Sequence, residues 1–322
     1  LNSGELAKLV EEDGLRGVTS NPAIFEKAFG GSDAYDEAIA ALTREGKGIP
    51  EIYEAMTVDD VGRAADLLRS VYENSSGQFG FVSLEVNPHL ARDTEGTLEE
   101  ARRLWAALDR PNVFIKVPAT REGLPAIRQL ISEGINVNVT LLFGLPRYRD
   151  VAEAYIAGLE QRAADGQPLE GIASVASFFL SRIDVLIDPE LDRLVQAGGP
   201  KGETAVGLRG EIAIASAKQA YQIYKESFAS RRFEELAGRG AHPQRVLWAS
   251  TSTKNPAYSD IKYIEPLIGP ETINTMPQET LDAYRDHGRP ASRLEEKVKE
   301  AVHKHRQLAE LGIDLDQATA QL

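Results

Sequence analysis

Short runs rich in β-branched and aromatic residues alternate along the chain with longer stretches in which apolar residues recur three and four apart. This order predicts an α/β fold of repeated βα units. Strands are expected near Leu15–Ser20, Phe81–Val86, Asn112–Val117, Asn136–Leu141, Gly171–Ser177, Arg245–Ser250 and Glu271–Thr275, seven in all. Helical spacing links Val61, Ala64, Ala65, Leu68, Val71 and Tyr72, and Thr57 with Asp60 three residues on reads as an approximate capping box for that helix. Leu6–Val10, Leu145–Ala164 and Leu208–Phe228 read as helices too, with Pro146 suited to a first turn. The Gly-rich stretch AGGPKGE at 197–203 interrupts a helical region. It is expected to be a mobile surface loop, since a phosphate cradle needs a strand-to-helix setting.

Several strands carry a second signal, because apolar and polar residues alternate within them. Val82, Leu84 and Val86 oppose Ser83 and Glu85; Val113, Ile115 and Val117 oppose Asn112, Phe114 and Lys116; Val137, Val139 and Leu141 oppose Asn136, Asn138 and Thr140. Central strands of a doubly wound sheet are usually apolar on both faces. Polar faces that must meet somewhere enclosed point to a (β/α)8 TIM barrel, with the reactive groups toward the C-terminal ends of the strands. Seven strands are one short of eight. Since the chain opens in a helical pattern, the first strand is expected before Leu1, and IDLDQATAQL closes without a capping signal. The expected domain is therefore a single barrel over residues 1–322, truncated at both ends.

Composition narrows the chemistry. The 322 residues hold 36 basic and 49 acidic side chains, a net charge of −13, so no basic excess is available to neutralise nucleic-acid phosphates. With no cysteine, thiol nucleophiles, disulfides and thiolate metal sites are ruled out. No apolar run approaches the roughly 18 residues of a membrane helix, and no signal peptide pattern opens the chain, so a cytoplasmic enzyme is expected. The five histidines, at 89, 242, 287, 303 and 305, show no recurring acidic partner, and no metal site is indicated. Nucleotide, dinucleotide and G-x-S-x-G fingerprints are absent.

Lys116 in NVFIKVPAT is the sharpest feature, an amine inside an apolar strand. Burial favours the neutral amine, which is the form that attacks a carbonyl to give a Schiff base; the plain alternative is a lysine reaching from a strand end into solvent. Glu85 in SLEVNP is either the structural ion-pair partner of Lys116 or a proton carrier at a carbinolamine. Asn138 and Thr140 share one strand face and are placed to hold a water, or form a structural polar layer. Arg182 and Lys254 each follow a late strand. Together with the Ser250 hydroxyl they suggest an anion site, against the alternative of two solvated cations.

At these residues the sequence resembles the transaldolase family. The motifs are GVTSNPAIF at 17–25, SLEVNP at 83–88, FIKVPAT at 114–120, GINVNVTLLF at 134–143, SVASFF at 174–179 with Arg182, WASTSTKNP at 248–256 and NTMP at 274–277. Their order and spacing span essentially the whole chain. The resemblance is greatest to a bacterial branch whose members are sometimes fused to a glucose-6-phosphate isomerase domain, so fusion or association with such a domain is an expectation. The resemblance implies a class I aldolase barrel without metal or organic cofactor, moving a dihydroxyacetone unit between sugar phosphates. It places the Schiff-base lysine on Lys116, the acid/base glutamate on Glu85 and the water-holding threonine on Thr140. It places substrate-hydroxyl contacts on Asn21, Asn138 and Ser177, and adds Phe179 and the phosphate ligands Arg182, Ser250 and Lys254. The aspartate that the family carries on its first strand has no counterpart here, as that strand is expected before Leu1. Two other readings stay open: a lyase like fructose-6-phosphate aldolase, and a non-catalytic barrel module.

Overall fold

The computed structural model describes residues 3–322, so an expected strand before Leu1 lies outside the described residues. The chain divides into two compact units, the first running to Asn138 and including Gln161–Ala173, the second comprising Val139–Glu160 and Ser174–Leu322. In the first unit the helices are α1 (Glu5–Glu12), α2 (Pro22–Gly30), α3 (Asp36–Arg44), α4 (Ile49–Leu67), α5 (Arg69–Asn74), α6 (Thr94–Leu108) and α7 (Gly123–Glu133). Its strands are β1 (Gly17–Thr19), β2 (Phe81–Glu85) and β3 (Val113–Pro118), and β4 (Val137–Leu142) opens there. The second unit holds most of α8 (Leu145–Ala164), then β5 (Ser174–Phe179), α9 (Ser181–Ala197), α10 (Gly199–Leu208), α11 (Ile212–Phe228) and α12 (Arg231–Ala237). It continues with β6 (Arg245–Ala249), β7 (Thr272–Asn274), α13 (Gln278–His287), α14 (Val298–Glu310) and α15 (Leu315–Thr319). All seven expected strands are present, each within a residue or a few of its expected bounds.

Within each unit the strands pair in chain order and parallel, β1 to β2 to β3 and β5 to β6 to β7. Parallel neighbours require a crossover, and helices supply it, so the class is α/β as the alternation predicts. Val82 and Leu84 are buried on one side of β2, which packs on α4, and Val86 just beyond the strand is buried too. Buried residues fill both faces of β3, where Phe114 stacks on Phe81 at 4.2 Å between ring centroids. Glycine is required at the first position of α7: a Cβ on Gly123 would lie 2.1 Å from the Pro118 carbonyl oxygen, so only glycine lets the chain turn so tightly off the end of β3.

Three local expectations are corrected. Thr57 does not cap a helix, for α4 begins earlier, at Ile49, and the Thr57 hydroxyl donates to the Glu54 carbonyl inside it; the true start is closed by Glu51, whose carboxylate accepts the Gly48 N–H at 2.7 Å. The 197–203 stretch is not a loop. Gly198 (φ 71°) ends α9, and Pro200 sits in the first turn of α10, where its missing N–H costs nothing. The helix expected from Leu208 starts instead at Ile212, because Leu208 ends α10 and Gly210 takes a positive φ of 66°. No helix among the described residues is long and apolar enough to cross a membrane.

Candidate active site

The candidate residues divide between the two units. In the first, β2 and β3 lie in a register that sets Glu85 directly opposite Lys116. Both side chains point the same way, because Ser83 and Glu85, like Phe114 and Lys116, are two apart on their strands. Lys116 is buried, 6% exposed, so it does not reach into solvent. Its Nζ donates to Glu85 Oε2 at 2.6 Å and to the Ser20 carbonyl at 2.9 Å. The pair is charge-assisted and nearly dry, with side-chain exposures of 8% and 10%. Around it, Ser20 Oγ donates to the Ser83 carbonyl at 2.7 Å, and Asn138 Nδ2 donates to Ser83 Oγ at 3.1 Å. Asn21 Oδ1 accepts the Ile24 N–H at 2.9 Å as the N-cap of α2.

Ser20 and Ser83 escaped the sequence reading as site residues. Ser83 carried a signal, its place beside Glu85 on the polar face. Ser20 acts through its main-chain oxygen, which no residue type announces. Not every polar strand residue joins the cluster. Asn112, at the opposite end of β3, donates to the carbonyls of Ala65 and Gly80, and Asn136 donates to the Pro111 carbonyl at 3.0 Å while its Oδ1 accepts the Ala173 N–H. These are staples between neighbouring segments.

In the second unit Thr140 and Ser177 are buried on β4 and β5. Phe179, at the end of β5, packs against Phe143 at 5.2 Å, and the Arg182 guanidinium lies over its ring at 5.6 Å. Arg182 is the second residue of α9. Ser250 Oγ lies 2.8 Å from Ser181 Oγ, and the Ser181 N–H donates to the Ser250 carbonyl, tying the end of β6 to the start of α9. Ser250 adopts φ 53°, a left-handed conformation costly for serine, as the chain turns off β6. Lys254, four residues on, is exposed and donates to Ser252 Oγ at 2.7 Å. Of the histidines, His287 bonds Asp260 and Asp286, and the Asp260 bond chiefly raises its pKa.

A buried lysine paired with a carboxylate on adjacent parallel strands is an arrangement in which a proton can pass between an amine and a carboxyl group away from bulk water. The family model for transaldolase/fructose-6-phosphate aldolase matches residues 1–322. A transaldolase of Thiobacillus denitrificans is 50% identical over 322 residues, covering all of this chain and 88% of the relative. One of Trichodesmium erythraeum is 48% identical over 326 residues, covering 100% and 86%, and one of Thermobifida fusca is 52% identical over 288 residues, covering 89% and 77%. The chain belongs to the transaldolase/fructose-6-phosphate aldolase family.

Proposed function

We propose that the protein is a transaldolase, moving a dihydroxyacetone unit from sedoheptulose 7-phosphate or fructose 6-phosphate to glyceraldehyde 3-phosphate or erythrose 4-phosphate in the non-oxidative pentose phosphate pathway. The observation that carries this reading is the 2.6 Å contact between Lys116 Nζ and Glu85 Oε2. An ammonium cannot attack a carbonyl. Passing one proton along that bond gives a neutral amine and a carboxylic acid together, the two groups the reaction needs first. Lys116 then attacks C2 of the ketose. Glu85, through a water held by Thr140, returns the proton as the carbinolamine hydroxyl leaves as water. The iminium so formed draws the electron pair of the C3–C4 bond as it breaks, the C4 hydroxyl passes its proton to a carboxylate base, the role the family gives to its first-strand aspartate, and the aldose phosphate departs. The three-carbon enamine stays on Lys116 until an aldehyde acceptor arrives.

Asn21, Asn138 and Ser177 are proposed to contact substrate hydroxyls, and Arg182, Ser250 and Lys254 to hold the phosphate. Phe179 supplies an apolar surface that keeps water from the enamine. The test is to incubate the protein with fructose 6-phosphate, reduce with borohydride and map the adduct by mass spectrometry. A single three-carbon addition on Lys116 is expected. An adduct on another lysine, or none, overturns the assignment.

A further inference from the structure

The segment 250–264, which carries Lys254, contains no helix or strand. Holding so long a stretch still is entropically expensive. It is nevertheless tied at two points to one helix. Tyr258 donates its hydroxyl to Asp188 Oδ2 at 2.7 Å, and Tyr263 donates to Asp184 Oδ2 at 2.8 Å. Asp184 and Asp188 stand four apart on α9, so they share one face of the helix that begins with Ser181 and Arg182. Their second oxygens accept the N–H groups of Ala213 and Gly210, both at 2.8 Å, where α10 passes into α11. Gly210 is shaped for this: a Cβ there would lie 2.6 Å from the Tyr258 ring. Both carboxylates are buried, at 2% and 8% exposure, and buried carboxylates are a poor way to add stability when apolar side chains of similar size would pack without desolvation cost. What they add is location.

We infer that Asp184 and Asp188, acting through Tyr263 and Tyr258, are positioning residues for phosphate binding: they fix the Lys254 segment to the helix that bears Arg182. The inference rests on the phosphate reading of Arg182 and Lys254. Two cations held on one frame repel until an anion arrives, and a segment free to move would relieve that repulsion by separating them. Anchored phenols meet the ordering cost before the substrate binds.

Tyr258→Phe and Tyr263→Phe remove one hydroxyl each and keep the ring. Each is expected to raise KM for fructose 6-phosphate about fivefold, with kcat within about twofold and kcat/KM for unphosphorylated fructose unchanged. Lys254→Met is expected to show the same selectivity more strongly, and Tyr258→Phe placed in that background to add nothing further. If Lys254→Met is selective but the two Phe variants are silent, or weaken fructose and fructose 6-phosphate alike, the inference is overturned and the phosphate reading survives. If Lys254→Met itself affects both sugars equally, both fall together.

Discussion

Lys116 and Glu85 illustrate how one pair of residues supports two readings that only substitution separates. Charges buried at 8% and 10% exposure must be compensated, and the contact at 2.6 Å compensates both. If pairing were the whole role, Glu85→Gln would leave a buried ammonium without its counter-charge, lowering stability while leaving turnover in the folded protein. If Glu85 carries the proton, glutamine still accepts the Lys116 N–H but cannot take or return the proton. The expected outcome is a fall in kcat of about 10²- to 10³-fold with KM little changed. Steady-state kinetics and denaturant unfolding on the same preparation decide between them; full kcat in a folded Glu85→Gln protein would leave Glu85 an ion-pair partner only. The facing of this pair was legible in the sequence, because period-two alternation assigns each residue to a strand face. The Ser20 carbonyl beneath it was not, since a main-chain acceptor leaves no mark on residue type.

At the scale of elements, the strands were legible and the helix ends were less so. Thr57 and Asp60 imitate a capping box, yet Gly48 and Glu51 close the helix with a backbone donor and one carboxylate. Glycine density at 197–203 suggested a loop, while Pro200 marked a helix start that outweighed it. Pairs such as Asp184 with Tyr263 lie 79 residues apart, and no local pattern announces them. A titratable contact between helices gives a further test. His305 on α14 lies 3.1 Å from Ser216 Oγ on α11, and burial pushes its pKa down to about 4 from 6.5. The unfolded chain therefore binds the proton first. Stability is complete above about pH 6.5 and is lost as pH falls toward 4, by roughly 3 kcal/mol. Burial of Asp184 acts oppositely: with its pKa raised to about 6 from 3.8, its contribution is complete below about pH 4 and lost as pH rises through 6. The difference between wild type and His305→Gln isolates the histidine. Urea midpoints should fall less steeply between pH 6.5 and 4 in the variant; parallel curves would show that His305 does not titrate against folding.

For the molecule as a whole, what remains to be decided is transfer or release, since the family unites both reactions. On the proposed mechanism both proceed through an enamine on Lys116 and differ in whether water reaches it before an aldehyde does. Release needs the enamine to be protonated at carbon and the resulting iminium to be hydrolysed by water, which frees dihydroxyacetone and regenerates the lysine at every turnover. Transfer needs the enamine to persist, and the burial of Lys116 with Glu85 is the feature of the chain that favours persistence. The expected behaviour is ping-pong. Given fructose 6-phosphate alone, the protein should liberate a single equivalent of glyceraldehyde 3-phosphate and stop, its lysine occupied. Adding erythrose 4-phosphate should restore steady turnover and yield sedoheptulose 7-phosphate. Rapid-quench measurement of the aldose phosphate against enzyme concentration reads both phases. Continuous accumulation of free dihydroxyacetone without an acceptor would make the protein an aldolase of release, and would mean that burial at Lys116 does not exclude water from the enamine.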